Sequence, residues 1–137
     1  MKALTVCQPY AAALLGPKRI ENRGWYCKHR GPLLIHAGKN KSFLGTLTPE
    51  ELSTWPDYDP AQFKFGMLIG AVDVIDCVSI ADYLGMGKQD PWAVGKFCIV
   101  TARPRRLVRP IRFTGCLGLF DVPEALVKGV EWQEVPT

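Results

Sequence analysis

The run KALTVC, residues 2–7, is short, apolar and partly β-branched, the pattern of a strand. QPYAAALLG follows and reads as a helix: alanines and leucines fill it, Pro9 suits its first turn, and Gly16 with Pro17 stops it. RIENRGWY reads as a strand, and so does PLLIHA, entered through a Gly31–Pro32 turn. In TPEELSTW, residues 48–55, Thr48 stands at the N-cap, Pro49 at the first helical position and Glu51 three residues after the cap. That is a capping box for a short helix. FGMLIGAVDVIDCVSI is a long β-branched apolar run punctuated by Gly66 and Gly70, as in a central strand covered on both faces. SIADYLG supplies one helical turn or two, GKFCIVTARPRRL a strand running into a basic loop, and RPIRFTGCLGLFDVP a further short strand. In that last segment Gly115 and Gly118 relieve a tight bend. The sum is a mainly β chain with two or three short helices (α+β), expected to form a small, partly open β-barrel.

At 137 residues the chain suits one core, and no repeat or linker divides it, so residues 1–137 are read as a single domain. Apolar residues make up 47%, yet no tract approaches the roughly eighteen a membrane helix needs. No signal peptide is visible, because Pro9 interrupts the first apolar run early. The five cysteines, Cys7, Cys27, Cys77, Cys98 and Cys116, are odd in number and include no CxxC pair. This argues against a disulfide framework and against a zinc finger, and fits free thiols in a reducing cytoplasm. Cys27 and His29 alone do not make a metal site, so no metal or cofactor is expected.

The net charge of +4 says less than its distribution. Lys18, Arg19, Arg23, Lys28, Arg30, Lys39 and Lys41 crowd one segment against the single acid Glu21. Lys96, Arg103, Arg105, Arg106, Arg109 and Arg112 crowd another with no acid, while the carboxylates sit mostly between Glu50 and Asp90. If the two segments meet they form the positive face expected of a phosphate-backbone partner; if not, they are two solvated regions.

On a strand, Arg19, Glu21 and Arg23 share one face and Ile20 and Asn22 the other. Ile20 is expected to mark the core side, with Glu21 and Arg23 paired on the outer or cleft side. Simple alternation puts Asp73 on the face of Met67, Ile69, Ala71 and Ile75, where a carboxylate is desolvated and needs a partner. Lys18, where the helix hands over to the next strand, is the partner expected. Such a pair is either structural or a proton-transfer device, since burial favours a neutral lysine.

The segment GPKRIENR matches the G-x-K-x-x-E-x-R signature of the ASCH family at Gly16, Lys18, Glu21 and Arg23. The opening with Gln8 and Pro9, the segment with Trp25, Arg30, Gly31 and His36, the strand GMLIGAVDVIDC and the closing RPIRFTGCLGLFDVP also resemble that family, in order. The resemblance implies a PUA-like β-barrel whose cleft is built around the signature and which is associated with RNA and with modified or unusual bases. Two activities belong to branches of the family, hydrolysis of N(4)-acetylcytidine and ribonuclease action. In the amidohydrolase a lysine, a threonine and a glutamate form the catalytic group. Lys18 matches the lysine, Asp73 falls near the glutamate, and Glu21 occupies the place of the threonine. A threonine-based mechanism therefore does not transfer, although Lys18, Glu21 and Asp73 could activate a water between them. Tyr10 replaces the opening tryptophan, and the tryptophan often found near Cys98 is missing.

Three classes of function follow, the last being an interaction domain whose cleft has lost its ligand, against which the intact signature charges count. The first is a binding module for RNA, another single-stranded nucleic acid or a modified nucleoside, using Gln8, Pro9, Tyr10, Lys18, Glu21, Arg23, Trp25, Arg30 and His36. The second is a hydrolase on the same cleft, using Lys18, Glu21 and Asp73. Each residue also has a structural role open to it. Gln8 suits a base edge or the tying of the first helical turn, and His36 suits a proton shuttle, a phosphate contact or a structural hydrogen bond. Trp25, Trp92 and Phe120 suit base stacking or core packing.

Overall fold

In the computed structural model, which describes residues 1–136, the pattern resolves into seven strands and four short helices. The strands are β1 (Lys2–Val6), β2 (Ile20–Arg23), β3 (Gly31–Ala37), β4 (Met67–Ser79), β5 (Phe97–Arg112), β6 (Leu119–Asp121) and β7 (Trp132–Glu134). The helices are α1 (Tyr10–Leu14), α2 (Pro49–Ser53), α3 (Ile80–Gly85) and α4 (Glu124–Val127). The capping box is present in full: Thr48 accepts from the Glu51 amide at 3.1 Å, and Glu51 accepts from the Thr48 amide at 2.8 Å.

One curled sheet holds all strands in the order β2-β5-β4-β3-β1-β6, with β7 added against β5. Every pairing is antiparallel except β1 with β3, the two strands separated in sequence by α1 and β2. Both faces of the sheet are covered. On one side Leu4, Val6, Leu33, Ile35, Val72 and Ile99 pack under α1 through Leu14. On the other Ala3, Leu34, Leu68, Ala71, Leu107 and Phe120 form a second core. The result is the mainly β, partly open barrel that the pattern predicts. Among the described residues no helix is long and apolar enough to cross a membrane.

Two local expectations fail for physical reasons. β4 does not alternate simply, because its register with β5 shifts between Leu68 and Gly70, Ala71 and Asp73, and Val74 and Asp76. Between Leu68 and Gly70 β4 also carries an extra residue against β3, and such a bulge turns the side chains beyond it over. Ile69 consequently packs in the main core and Ala71 in the second. Asp73, flanked by Val72 and Val74 of the main core, points away from it. The basic stretch TARPRRL is strand rather than loop: Leu107 is buried in the second core and β7 pairs along Arg105–Leu107. Gly70 lets these layers meet, since a Cβ there would run into the Arg105 carbonyl oxygen and lie 2.5 Å from the Leu15 side chain.

Candidate functional site

β2 is an edge strand, and its four side chains all have work. Ile20 fills a satellite cluster with Tyr83 and Cys98, beneath α3. Glu21, the cross-strand partner of Ile99, therefore turns toward the main-core side, the reverse of the orientation expected from sequence. Asn22 accepts from the Val94 and Gly95 amides at 3.0 and 2.9 Å and donates to the Trp92 carbonyl at 2.7 Å. It thereby anchors the loop before β5. Sequence reasoning missed Asn22 because it occupies an unspecified place in the signature; a polar residue between two ionic ones on a strand was the available signal.

Lys18 and Glu21 are only 2% and 7% exposed. The Lys18 ammonium donates to Glu21 Oε1 at 2.7 Å, and Arg23 Nε donates to Oε2 at 2.9 Å. Arg23 Nη2 also donates to the Thr5 carbonyl at 2.9 Å, beyond the last β1–β6 pair, Leu4 with Leu119. One guanidinium thus ties edge strand β2 to β1. Arg23 Nη1 has no partner among the described residues, and the side chain is 25% exposed. Burial alone would raise the Glu21 carboxyl, but the charges and hydrogen bonds of Lys18 and Arg23 outweigh it and hold Glu21 below the usual carboxylate range. Beside this network the Lys18 ammonium stands 5.9 Å from the centre of the Tyr10 ring. Tyr10 packs edge-on against Phe43 and Trp92, and its hydroxyl shares a 3.0 Å hydrogen bond with Thr46.

The other expected residues lie elsewhere. Asp73 does not pair with Lys18. It accepts from Arg103 Nε at 2.5 Å and from Arg105 Nη1 at 3.2 Å, on the face of the sheet opposite Glu21. Lys18, Glu21 and Asp73 therefore do not converge on one water. His36 faces the second core, with Nδ1 on the Thr5 hydroxyl at 3.1 Å and Nε2 on the Phe113 carbonyl at 2.6 Å. Burial lowers its pKa, against the upward pull of that carbonyl, and both ring nitrogens are committed to structure rather than to a shuttle. Gln8 is buried with both ends of its amide engaged: Oε1 accepts from the Ala12 amide at 2.9 Å and Nε2 donates to the Lys64 carbonyl at 3.0 Å. It ties the first turn of α1. Pro9 is the N-cap residue of α1. Arg30 braces its own loop through the Cys27 and His29 carbonyls at 2.8 and 2.9 Å. Trp25, 36% exposed, follows Arg23 at the bend, whereas Trp92 and Phe120 are buried.

The two basic segments do meet, through the β2–β5 pairing. Much of their charge is spent internally. Arg19 donates to the Leu14 and Gly16 carbonyls at 2.7 Å and Arg106 to the Leu15 carbonyl at 3.1 Å, satisfying the end of α1. Desolvation lowers the Arg19 pKa, and its Nη1 is buried without a partner.

A curled, mainly β half-barrel with both faces of its sheet covered and a buried Lys–Glu–Arg network where the first helix meets an edge strand is the fold class of the ASCH domains, which are PUA-like. The chain belongs to the ASCH domain family, whose model matches residues 4–109. Among curated proteins it is 39% identical over 87 residues to human Activating signal cointegrator 1, and 40% identical over 88 residues to the mouse protein. Each match covers 56% of this chain but only 14% of the relative. Among solved structures, ASCH from Zymomonas mobilis superposes with a TM-score of 0.60 at 12% identity, covering 95% of both chains. A tyrosine-to-phenylalanine mutant of that protein gives 0.58 at 12% identity, covering 95% of this chain and 98% of that one.

Proposed function

We propose that residues 1–137 act as one nucleic-acid-binding domain that takes a base of single-stranded RNA, or a modified nucleobase, in a cleft bounded by Tyr10, Lys18, Glu21 and Arg23. The observation that carries this reading is the state of the network. Both Glu21 oxygens are occupied, so the carboxylate positions two cations instead of accepting a proton. What remains outward is donor capacity at Arg23 Nη1, backed by the buried Lys18 ammonium beside the Tyr10 ring, with Trp25 at the rim. Donors suit the carbonyl and ring-nitrogen acceptors of a base, and an aromatic rim suits stacking worth about 1–3 kcal/mol per base. Membership of a PUA-like family supports RNA as the polymer, and the five free cysteines support a reducing compartment such as the cytoplasm.

Hydrolysis draws less support. No hydroxyl stands at the place of the family's threonine, and Asp73 lies across the sheet from Glu21. The experiment is fluorescence anisotropy with labelled single-stranded RNA over a salt series, alongside incubation with N(4)-acetylcytidine. Binding that weakens steeply with salt, with the nucleoside recovered intact, is the expected result. Deacetylation by the parent but not by Lys18→Ala would replace this reading with the hydrolase.

A further inference from the structure

Once internal pairings are subtracted, the positive charge left at the surface lies mostly away from the signature. Glu21 takes Lys18 and Arg23, Asp73 takes Arg103 and Arg105, Asp76 takes Arg30, and the end of α1 takes Arg19 and Arg106. Lys39, Lys41, Lys64 and Arg112 are exposed and belong to no ion pair among the described residues. Lys64 belongs to neither basic segment of the sequence, yet the fold brings all four to one corner. The Lys39 side chain covers Gly66, which has φ +68°, so that a Cβ there would sit 2.8 Å from Lys39 Cε. Phe65, just before it, carries the Lys41 ammonium 4.8 Å from its ring centre. Met67, just after it, is the cross-strand partner of Arg112 and also of Ala37. The Lys64 carbonyl is the one held by Gln8 at the foot of α1. The corner is joined to the cleft through Phe43, 44% exposed and edge-on to Tyr10.

We infer that Lys39, Lys41, Lys64 and Arg112 form a phosphate-binding surface that carries the backbone of a single strand whose base occupies the Tyr10–Arg23 cleft. The inference rests on the nucleic-acid reading above and adds the path of the strand. Lysines interleaved with Phe43 and Phe65 suit a stacked, charged chain, in which phosphates meet ammonium groups and bases meet rings. A cleft for a free nucleoside would have no use for such a corner.

The test uses the full chain, a labelled oligouridine and a labelled oligoadenosine, each titrated over a salt series. The variants are Lys39→Gln, Lys41→Gln, Lys64→Gln and Arg112→Gln, with Lys88→Gln, beside α3, as control. Because all four positions are exposed, melting temperatures should match the parent and exclude unfolding. Each variant is expected to weaken both oligonucleotides alike, and to lower the slope of log affinity against log salt by about 0.7 per lost phosphate contact. Lys88→Gln should change neither. RNA binding by the parent that the four variants leave untouched would overturn the surface while the cleft reading stands. No RNA binding by the parent would overturn both. Competition by polyglutamate as effective as by unlabelled RNA would show a site for acidic chains in general and overturn the phosphate assignment.

Discussion

Glu21 holds two cations with two oxygens, so removing its charge leaves Lys18 buried with nothing to balance it. E21Q is expected to lose about 3–5 kcal/mol of stability, the scale for breaking one side of a buried pair, read by urea denaturation. The pH dependence follows from the lowered Glu21 pKa. A carboxyl that titrates lower in the folded than in the unfolded chain adds stability above the ordinary carboxylate range and loses it as pH falls through the folded value. Acid destabilisation should therefore be shallower in E21Q than in the parent. His36 follows the same sign. Its folded pKa is lowered, so its contribution is complete above the ordinary imidazole range and falls as pH drops through it. His36→Gln is expected to flatten the stability profile below about pH 6.5 and to leave RNA affinity unchanged, which a shuttle or phosphate contact would not. The Glu21–Arg23 pair was legible at this scale because two residues so close on one strand face can reach one another, whereas Lys18 was expected to pair with Asp73 and pairs with Glu21 instead. The true partners of Asp73, Arg103 and Arg105, lie about thirty residues away at an irregularity of register on β5, which a period of two cannot foresee.

At the scale of elements, strands β1 to β4 and the capping box were readable because each is fixed by local chemistry. α2 is a clear case: Thr48→Ala should cost about 1 kcal/mol in a thermal melt, the worth of one N-cap. The extent of β5 was not readable. Its arginines look like a loop in isolation, and it is the burial of Leu107 and the pairing with β4 on one side and β7 on the other that make them strand. Gly70 shows why β4, β5 and α1 stand or fall together. Gly70→Ala forces a methyl group against the Arg105 backbone, which cannot swing aside as the Leu15 side chain can. A loss of about 1–3 kcal/mol is expected from such overpacking, measured by denaturation.

At the scale of the whole molecule, the barrel is open along one seam. The strand path begins at β2 and ends at β6, and no main-chain ladder among the described residues joins them. Arg23 crosses part of this gap with a single guanidinium, held on one side by Glu21 and on the other by the Thr5 carbonyl. β2 otherwise rests on its short pairing with β5, continued by the Thr101 amide donating to the Arg19 carbonyl at 2.8 Å. Such an edge should breathe more readily than β4, which is paired on both sides. A ligand that engages Arg23 through Nη1 leaves the tie to Thr5 in place and stiffens the residue that makes it. Deuterium uptake along Ile20–Arg23 should then slow on binding while uptake in β4 stays constant, so that the protein would report occupancy as the quieting of its own seam.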